Sequence, residues 1–295
     1  MSPIAILGPT ASGKSSVAMH VAGAIGAEIV SCDSMQVYRG LDIGTAKPSV
    51  EDQARVRHHL IDIAEIAEPF DVHRYLLAAE AVLADLATRA IPAIVCGGSG
   101  LYARALFYGR STRPQDPELA RAVAAEFAEY GAAPLLAELR GASPEAAEKV
   151  AQNPRHLCRA IVALRLGADP LPRSSCELRM PIRQFVLMPS PEFADARIRA
   201  RTREMLDAGW IAEAKAACAK GLLDSPTAAQ ALGYARIAQS DDDELFERLV
   251  IQTRQYAKRQ RTWFRHQHPG AELLPIDNAD DLSRARGRII SAVSE

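Results

Sequence analysis

An α/β architecture is predicted, a parallel sheet flanked by helices and carrying an all-helical insertion. Three features of the 295-residue chain point to it. Short apolar runs alternate with longer helical patterns, as in βαβ units. The stretch Gly8-Pro9-Thr10-Ala11-Ser12-Gly13-Lys14-Ser15 fits G-x-x-x-x-G-K-[ST] and stands between an apolar strand and a helix, which makes the sheet P-loop NTPase-like. Ala- and Leu-rich helical segments then fill residues 111–180 with no strand among them. The expected domains are a core of residues 1–110 and 181–295 and an insertion of residues 111–180.

The first strand is read at Pro3 to Leu7, and the first helix at Ser15 to Ile25 with Val17, Val21 and Ile25 on one face. The turn between them is an anion site in the making. Successive backbone N–H groups point inward, and the helix dipole favours negative charge. Lys14 adds a positive charge, and the Ser15 hydroxyl can hold Mg²⁺. The motif alone does not say which phosphate compound binds. A second buried strand, Ala27 to Ser31, ends at Cys32-Asp33-Ser34. Ligands of doubly wound sheets bind beyond the carboxyl ends of the strands. Asp33 therefore shares the rim with the P-loop, either as a functional carboxylate or as a turn residue.

His58 to Ile63 reads as another strand, followed by a helix from Asp71 to Arg89. Adjacent histidines on a strand face opposite ways, which favours structural or surface roles over a metal site. Ile91 to Cys96 is a third buried strand and runs into Gly97-Gly98-Ser99-Gly100-Leu101-Tyr102, a second glycine-rich turn on the same rim. Arg113-Pro114-Gln115-Asp116-Pro117 reads as a linker into the insertion, whose helices are expected at 118–130, 134–140, 144–151 and 154–167. Arg155, Arg159 and Arg165 share one face of the last of these, read from this segment as a solvated basic face.

Ile182 to Met188 returns to the sheet. The next helix carries two basic stripes, Arg197 with Arg201 and Arg199 with Arg203, so one is expected to face solvent and the other a ligand. A long helix from Asp241 to His266 has no acidic residue after Glu247. Its basic residues interleave with Tyr256, Trp263 and Phe264, which suits a phosphate backbone with stackable bases and equally suits a wet face over core aromatics. A last strand, Leu273 to Ile276, and a helix, Asp280 to Val293, close the core.

Composition narrows the function classes. A net charge of −1 means that any nucleic-acid contact must come from local patches. The five cysteines are scattered without a C-x-x-C, which indicates neither a disulfide framework nor a zinc site and suits a reducing cytoplasm. The N-terminus enters the first strand at once, so no signal peptide is expected. No run approaches the roughly 20 apolar residues of a membrane span.

Several stretches together resemble the tRNA dimethylallyltransferase (tRNA isopentenyltransferase) family in its bacterial form. They are the P-loop, Asp33-Ser34-Met35-Gln36-Val37-Tyr38, Asp42-Ile43-Gly44-Thr45-Ala46-Lys47-Pro48, His58-His59-Leu60-Ile61-Asp62, Gly97 to Tyr102, and Arg254 to Phe264. Ser15 and Ser99 stand where the family usually has Thr, and both keep the hydroxyl. Ala235 follows Leu232-Gly233-Tyr234 where a Lys or Arg is usual, with the charge one residue later at Arg236.

The resemblance implies transfer of a dimethylallyl group from dimethylallyl diphosphate to N6 of the adenine 3′-adjacent to the anticodon. It implies that Gly8, Pro9, Thr10, Ala11, Ser12, Gly13, Lys14 and Ser15 hold the diphosphate, with Mg²⁺ on Ser15 and Arg201 on the outer phosphate. Asp33 would be the base, beside Thr10, Lys14 and Arg201 as catalytic residues. It implies tRNA contact for Asp33, Ser34, Met35, Gln36 and Ser99, for Arg155, His156, Leu157, Cys158 and Arg159, and for Lys258, Arg259, Gln260, Arg261, Thr262, Trp263, Phe264 and Arg265. The insertion would clasp the anticodon arm. A cytoplasmic monomer is expected. Two other readings share some residues. A P-loop small-molecule kinase would use Asp33 on a hydroxyl, and an isopentenyltransferase of free adenine nucleotides would not need the basic helices.

Overall fold

A computed structural model of the chain describes residues 2–109, 116–171, 177–239 and 244–294. The expected linker residues Arg113 to Gln115, the start of the long helix at 241–243, and Cys176 lie outside these residues. The chain divides into two compact units. One comprises Met1–Phe107 with Leu178–Glu295, and the other Tyr108–Glu177.

In the first unit, β1 (Ile4–Leu7), α1 (Lys14–Ile25) and β2 (Glu28–Ser31) are followed by α2 (Val50–Arg55), β3 (His58–His59), α3 (Val72–Thr88), β4 (Ala93–Gly97) and α4 (Gly100–Tyr108). The insertion unit holds α5 (Pro117–Tyr130), α6 (Ala132–Ala142), α7 (Pro144–Val150) and α8 (Pro154–Arg165). The chain returns through β5 (Arg183–Pro189), α9 (Pro191–Asp207), α10 (Trp210–Ala219), α11 (Tyr234–Gln239), α12 (Leu245–Gln267), β6 (Glu272–Ile276) and α13 (Ala279–Ser294).

The six strands form one sheet in the order β3-β2-β4-β1-β5-β6, and every recorded pairing is parallel. β1 and β4 are neighbours, yet the chain leaves β1 for β2 on one side and leaves β4 for β5 on the other. That divergence opens a crevice at the carboxyl ends of the two strands, where open parallel sheets bind ligands. β1 is apolar throughout and wholly buried because helices cover both faces of a parallel sheet. Val17 and Val21 of α1 are both 0% exposed and share the core cluster with Ile4, Ile6, Ile94 and Leu282. Each such side chain contributes about 1.5–3 kcal/mol by burial, which fixes α1 and therefore the turn before it.

β3 is two residues long, shorter than the expected His58 to Ile63. Leu60 and Asp62 adopt positive φ of 63° and 56°, and side chains in that region cannot continue a strand. The two histidines take separate partners. His59 Nε2 lies 2.6 Å from Glu28 Oε2, and His58 Nδ1 lies 2.7 Å from the Val56 carbonyl. Among the described residues no group of His, Cys, Asp and Glu is placed to hold a metal.

The insertion unit is helical among its described residues. Val123, Leu135, Leu139, Leu157 and Ile161 form its core. Arg165 is exposed and grips Glu126 and Glu138 with four guanidinium bonds between 2.6 and 3.2 Å. Its bonds to Glu138 and then Glu126 raise its pKa above the usual arginine range, against a smaller opposing effect of burial. This arginine holds α8 to α5 and α6 at the surface, and its charge is already taken by the two carboxylates.

Candidate active site

The P-loop begins where β1 stops. Gly8 has φ of 156°, and a Cβ there would lie 2.7 Å from the Leu187 carbonyl oxygen and 2.9 Å from Ser12 Oγ. Only glycine fits this passage between β5 and the loop's own serine. Ala11 is buried with φ of 62°, a conformation that costs about 1–3 kcal/mol and persists where neighbours over-determine it. Here Arg197 Nε donates to the Ala11 carbonyl at 2.9 Å. The amides of Thr10 and Ser12 are used within the chain, on Gln260 Oε1 at 2.9 Å and on the Pro9 carbonyl at 3.3 Å. The first-turn amides of Lys14, Ser15 and Ser16 have no intrahelical acceptor and are available to an anion. Ser12 Oγ is buried without a hydrogen-bond partner, and the Ser15 hydroxyl is exposed.

α9 supplies the charge above the loop. Ile198 of this helix packs in one apolar cluster with Ala11 of the loop and Val250 and Ala257 of α12. That contact aims Arg197 and Arg201 at the loop, since both lie within one turn of Ile198. Arg201 Nη1 donates to Thr10 Oγ1 at 3.4 Å. The other stripe lies at the surface, where Arg203 is exposed and Arg199 partly so. Arg199 pairs with Glu247 at 2.5 Å, and Arg203 lies 4.2 Å from the centre of the Phe246 ring. This outer stripe stays at the surface, as the sequence pattern suggests, with Glu247 and Phe246 of α12 as its partners.

The electrostatics of the loop are lopsided. Burial lowers the Lys14 pKa, the Arg201 charge lowers it further, and the Asp33 carboxylate opposes both. Burial lowers Arg201 too, again opposed by Asp33 and reinforced by Arg197. Lys14 and Arg201 thus share the Asp33 carboxylate, with exposed Arg197 adding a further positive charge beside them. A surplus of positive charge of this kind is relieved when an anion binds.

Asp33 follows β2 on the same rim. Its Oδ1 accepts from the amides of Met35 at 2.9 Å and Gln36 at 3.4 Å, the side-chain-to-backbone turn typical of Asp. Its Oδ2 has no bond among the described residues. Ser99, after β4, accepts the Ser34 amide at 2.9 Å and bonds the Ser34 hydroxyl at 3.2 Å, tying the two rim turns together. Tyr256 of α12 is half-buried. Burial, then the Asp33 charge, raises its pKa above the usual tyrosine range.

The residues expected to touch RNA divide into two sets. Lys258, Arg259, Thr262 and Arg265 are exposed on α12, with Arg261 and Trp263 half-buried, and Lys258, Arg261 and Arg265 have no ion-pair partner among the described residues. Arg155, His156 and Arg159 are exposed on α8, and Cys158 is half-buried. Leu157 and Phe264 are instead 0% exposed and Gln260 is 8% exposed. All three lie on the buried stripes of their helices. Gln36 is also used internally. Its amide nitrogen donates to the carbonyls of Thr45 at 3.2 Å and Ala46 at 3.1 Å, and its oxygen accepts from Ser31 Oγ. Sequence reasoning named Arg197 only within a basic stripe and Tyr256 only as an interleaved aromatic, and it passed over the buried role of Gln260. The last had a signal, because Ala257, Gln260 and Phe264 fall at the i, i+3, i+7 spacing of a buried face.

Beside the loop, Pro9, Ala194, Ile198 and Ala257 floor a groove of about 400 Å³, edged by Arg254, Lys258 and Arg261. Arg254 pairs there with Asp195.

Comparison with known proteins is consistent along nearly the whole chain. The tRNA dimethylallyltransferase of Thermus thermophilus is 39% identical over 281 residues, covering 92% of this chain and 91% of that protein. The tRNA dimethylallyltransferase of Anaeromyxobacter dehalogenans is 39% identical over 298 residues, covering 95% and 97%. Among solved structures, the full-length tRNA isopentenylpyrophosphate transferase from Bacillus halodurans superposes with a TM-score of 0.71 at 30% identity, covering 98% of this chain and 96% of that one. The family model for IPP transferase matches residues 36–267, and the chain belongs to that family of transferases.

Proposed function

We propose that this protein transfers a dimethylallyl group from dimethylallyl diphosphate to N6 of the adenine 3′-adjacent to the anticodon of tRNA. The observation that carries the reading is the pairing of two features on one rim. One is a P-loop ringed by Lys14, Arg197 and Arg201, and the other is an Asp33 carboxylate with Oδ2 unbonded. The first suits a diphosphate leaving group and the second a proton acceptor.

Transfer requires one bond to form and one to break. The adenine amine attacks the allylic carbon, and the bond from that carbon to the diphosphate oxygen breaks. Negative charge grows on the departing diphosphate. The amides of Lys14 and Ser15, the Lys14 ammonium and the Arg201 guanidinium stabilise it, and a planar guanidinium suits bidentate contact with phosphate. Thr10 Oγ1, held by Arg201, is placed to bond the diphosphate beside it. An exocyclic aromatic amine is a weak nucleophile, so Asp33 Oδ2 takes its proton as the new bond forms.

The Ser15 hydroxyl is a single hard oxygen donor, and among the described residues no cluster of metal-ligating side chains surrounds it. That donor set fits a Mg²⁺ that arrives on the diphosphate and keeps most of its waters. Bound there, Mg²⁺ would neutralise charge on the leaving group.

For the tRNA, exposed Arg155 and Arg159 on α8 and Lys258, Arg259 and Arg265 on α12 are suited to backbone phosphates. The target base must leave its stack to reach Asp33, as in other enzymes that act on a base. The reading places the protein in the cytoplasm with its substrate. It works as a single chain, because one chain carries the whole constellation.

The test is incubation with radiolabelled dimethylallyl diphosphate, Mg²⁺ and unmodified tRNA, with AMP and ATP in parallel. Label on tRNA with release of diphosphate is expected. Label on AMP alone, or transfer of the ATP γ-phosphate, would overturn the reading.

A further inference from the structure

We infer that Gln260 is a positioning residue of the diphosphate site and not an RNA contact. The inference rests on the function proposed above and assigns the residue within that same site. Gln260 sits on α12 yet reaches the P-loop, 250 positions earlier in the chain. Its Oε1 accepts the Thr10 amide at 2.9 Å, and its Nε2 donates to the Gly98 carbonyl at 2.8 Å. A Cβ on Gly98 would come 2.6 Å from Gln260 Nε2 and 3.5 Å from Lys14 Nζ, so the carboxamide is wedged beside the loop's lysine.

Both ends of this amide are engaged, and both partners belong to rim turns. Ala257 and Phe264, three positions before and four after, are buried on the same face of α12 and hold the side chain in place. The exposed residues Lys258 and Arg259 lie about 100° to 200° around the helix from it, so no single ligand surface includes all three. Thr10 is fixed at its amide by Gln260 and at its hydroxyl by Arg201 at 3.4 Å. Without the first bond, the Thr10 backbone is free to turn, and its hydroxyl leaves the position where a phosphate oxygen meets Arg201. Gln260 therefore sets diphosphate geometry from a helix whose opposite side meets solvent. A buried glutamine at this position needs both bonds, since an unmatched carboxamide in the interior is costly.

The experiment compares the full-length protein with Gln260→Met, a close match in length that can make neither bond. Steady-state kinetics with saturating tRNA give KM for dimethylallyl diphosphate, and filter binding gives the tRNA Kd. Loss of one oriented hydrogen bond corresponds to a rise in diphosphate KM of about 3- to 10-fold, with tRNA Kd within about twofold. Thermal melting and the retained tRNA affinity report folding. In a Thr10→Ala background the Gln260→Met effect on KM should fall to less than about twofold, because the residue it acts through is gone. A purely structural glutamine would give the same loss in both backgrounds.

Should the methionine variant not fold, Gln260→Glu is measured in its place. It keeps the acceptor for Thr10 and sets a carboxylate against the Gly98 carbonyl, and the same rise in KM with intact tRNA affinity is expected. A tenfold loss of tRNA affinity with unchanged diphosphate KM would overturn the inference and return Gln260 to the RNA surface. Equal losses in the two backgrounds would also overturn it. The wild-type protein separates the two levels. If it transfers no label to tRNA, the proposed function fails, whereas an active wild type beside an unaltered Gln260→Met fails this inference alone.

Discussion

Tyr234 donates its phenolic hydrogen to Glu213 Oε1 at 2.6 Å, and the same carboxylate accepts the amides of Asp42, Ile43 and Gly44 at 2.8–3.0 Å. One side chain of α10 thus anchors two family stretches, Asp42-Ile43-Gly44-Thr45-Ala46-Lys47-Pro48 and Leu232-Gly233-Tyr234. Trp210, one turn earlier, fills the space between them. A Cβ on Gly44 would lie 2.0 Å from its Nε1, and one on Gly233 2.5 Å from its Cζ2. The glycines of both stretches are there so that backbone can lie against indole.

Glu213→Gln should therefore destabilise the protein although it touches no substrate. A carboxamide offers one acceptor oxygen where four donors converge, and it adds donors of its own. Donors left without a partner cost about 1–3 kcal/mol. A melting-temperature drop of about 2–10 °C is expected by calorimetry. An unchanged melting temperature would mean that the 42–44 segment is held by its other contacts, such as Lys47 to the Tyr38 carbonyl and Asp62.

On the proposed mechanism Asp33 carries two separable duties, and Asp33→Asn distinguishes them. The asparagine oxygen can still accept the Met35 and Gln36 amides, so the turn after β2 and the tRNA affinity should persist. The proton acceptor is lost. Transfer is expected to fall by about 10²–10⁴-fold in single-turnover assays with tRNA Kd within about twofold. Near-normal turnover would remove Asp33 from the chemistry.

How far the sequence revealed this site depended on the kind of contact. The P-loop and Asp33 are local signals, because their geometry comes from consecutive residues. The strands were readable for the same reason, apart from β3, where Leu60 and Asp62 needed positive φ that no alternation pattern encodes. Contacts made across long separations were not readable. Nothing near Arg199 in sequence says that Glu247 pairs with it and Phe246 packs against it. Leu157 and Phe264 sit inside basic stretches, and only helical phase places them in the core. The Thr10–Gln260 bond joins the two ends of the chain and required the fold itself.

The two basic helices should contribute to salt dependence, and Arg165 should not. Arg259→Ala with Arg265→Ala removes two exposed cations from α12. The slope of log Kobs against log salt for tRNA binding should flatten by about 1–2, near 0.7–0.9 per lost phosphate contact. Arg165→Ala removes a cation that is already held by Glu126 and Glu138, so it should lower the melting temperature and leave the slope alone. A slope unchanged in the double variant would show that this face of α12 is only solvated.

His268 links stability to pH. It is 4% exposed, its Nδ1 lies 3.0 Å from Gln184 Oε1, and burial pushes its pKa down to about 4, with the Arg104 charge acting in the same direction. The unfolded chain takes up the proton near the ordinary histidine value of about 6.5, so between the two values the unfolded state binds more protons. Stability is therefore complete above about pH 6.5 and is lost as pH falls toward 4, by about 2 kcal/mol at pH 5. Urea titrations of the wild type and of His268→Gln at pH 7 and pH 5 measure this. The wild type should lose about 2 kcal/mol more than the variant between those pH values. Equal losses would mean that this imidazole is charged in the folded protein and that the acid sensitivity belongs to other groups.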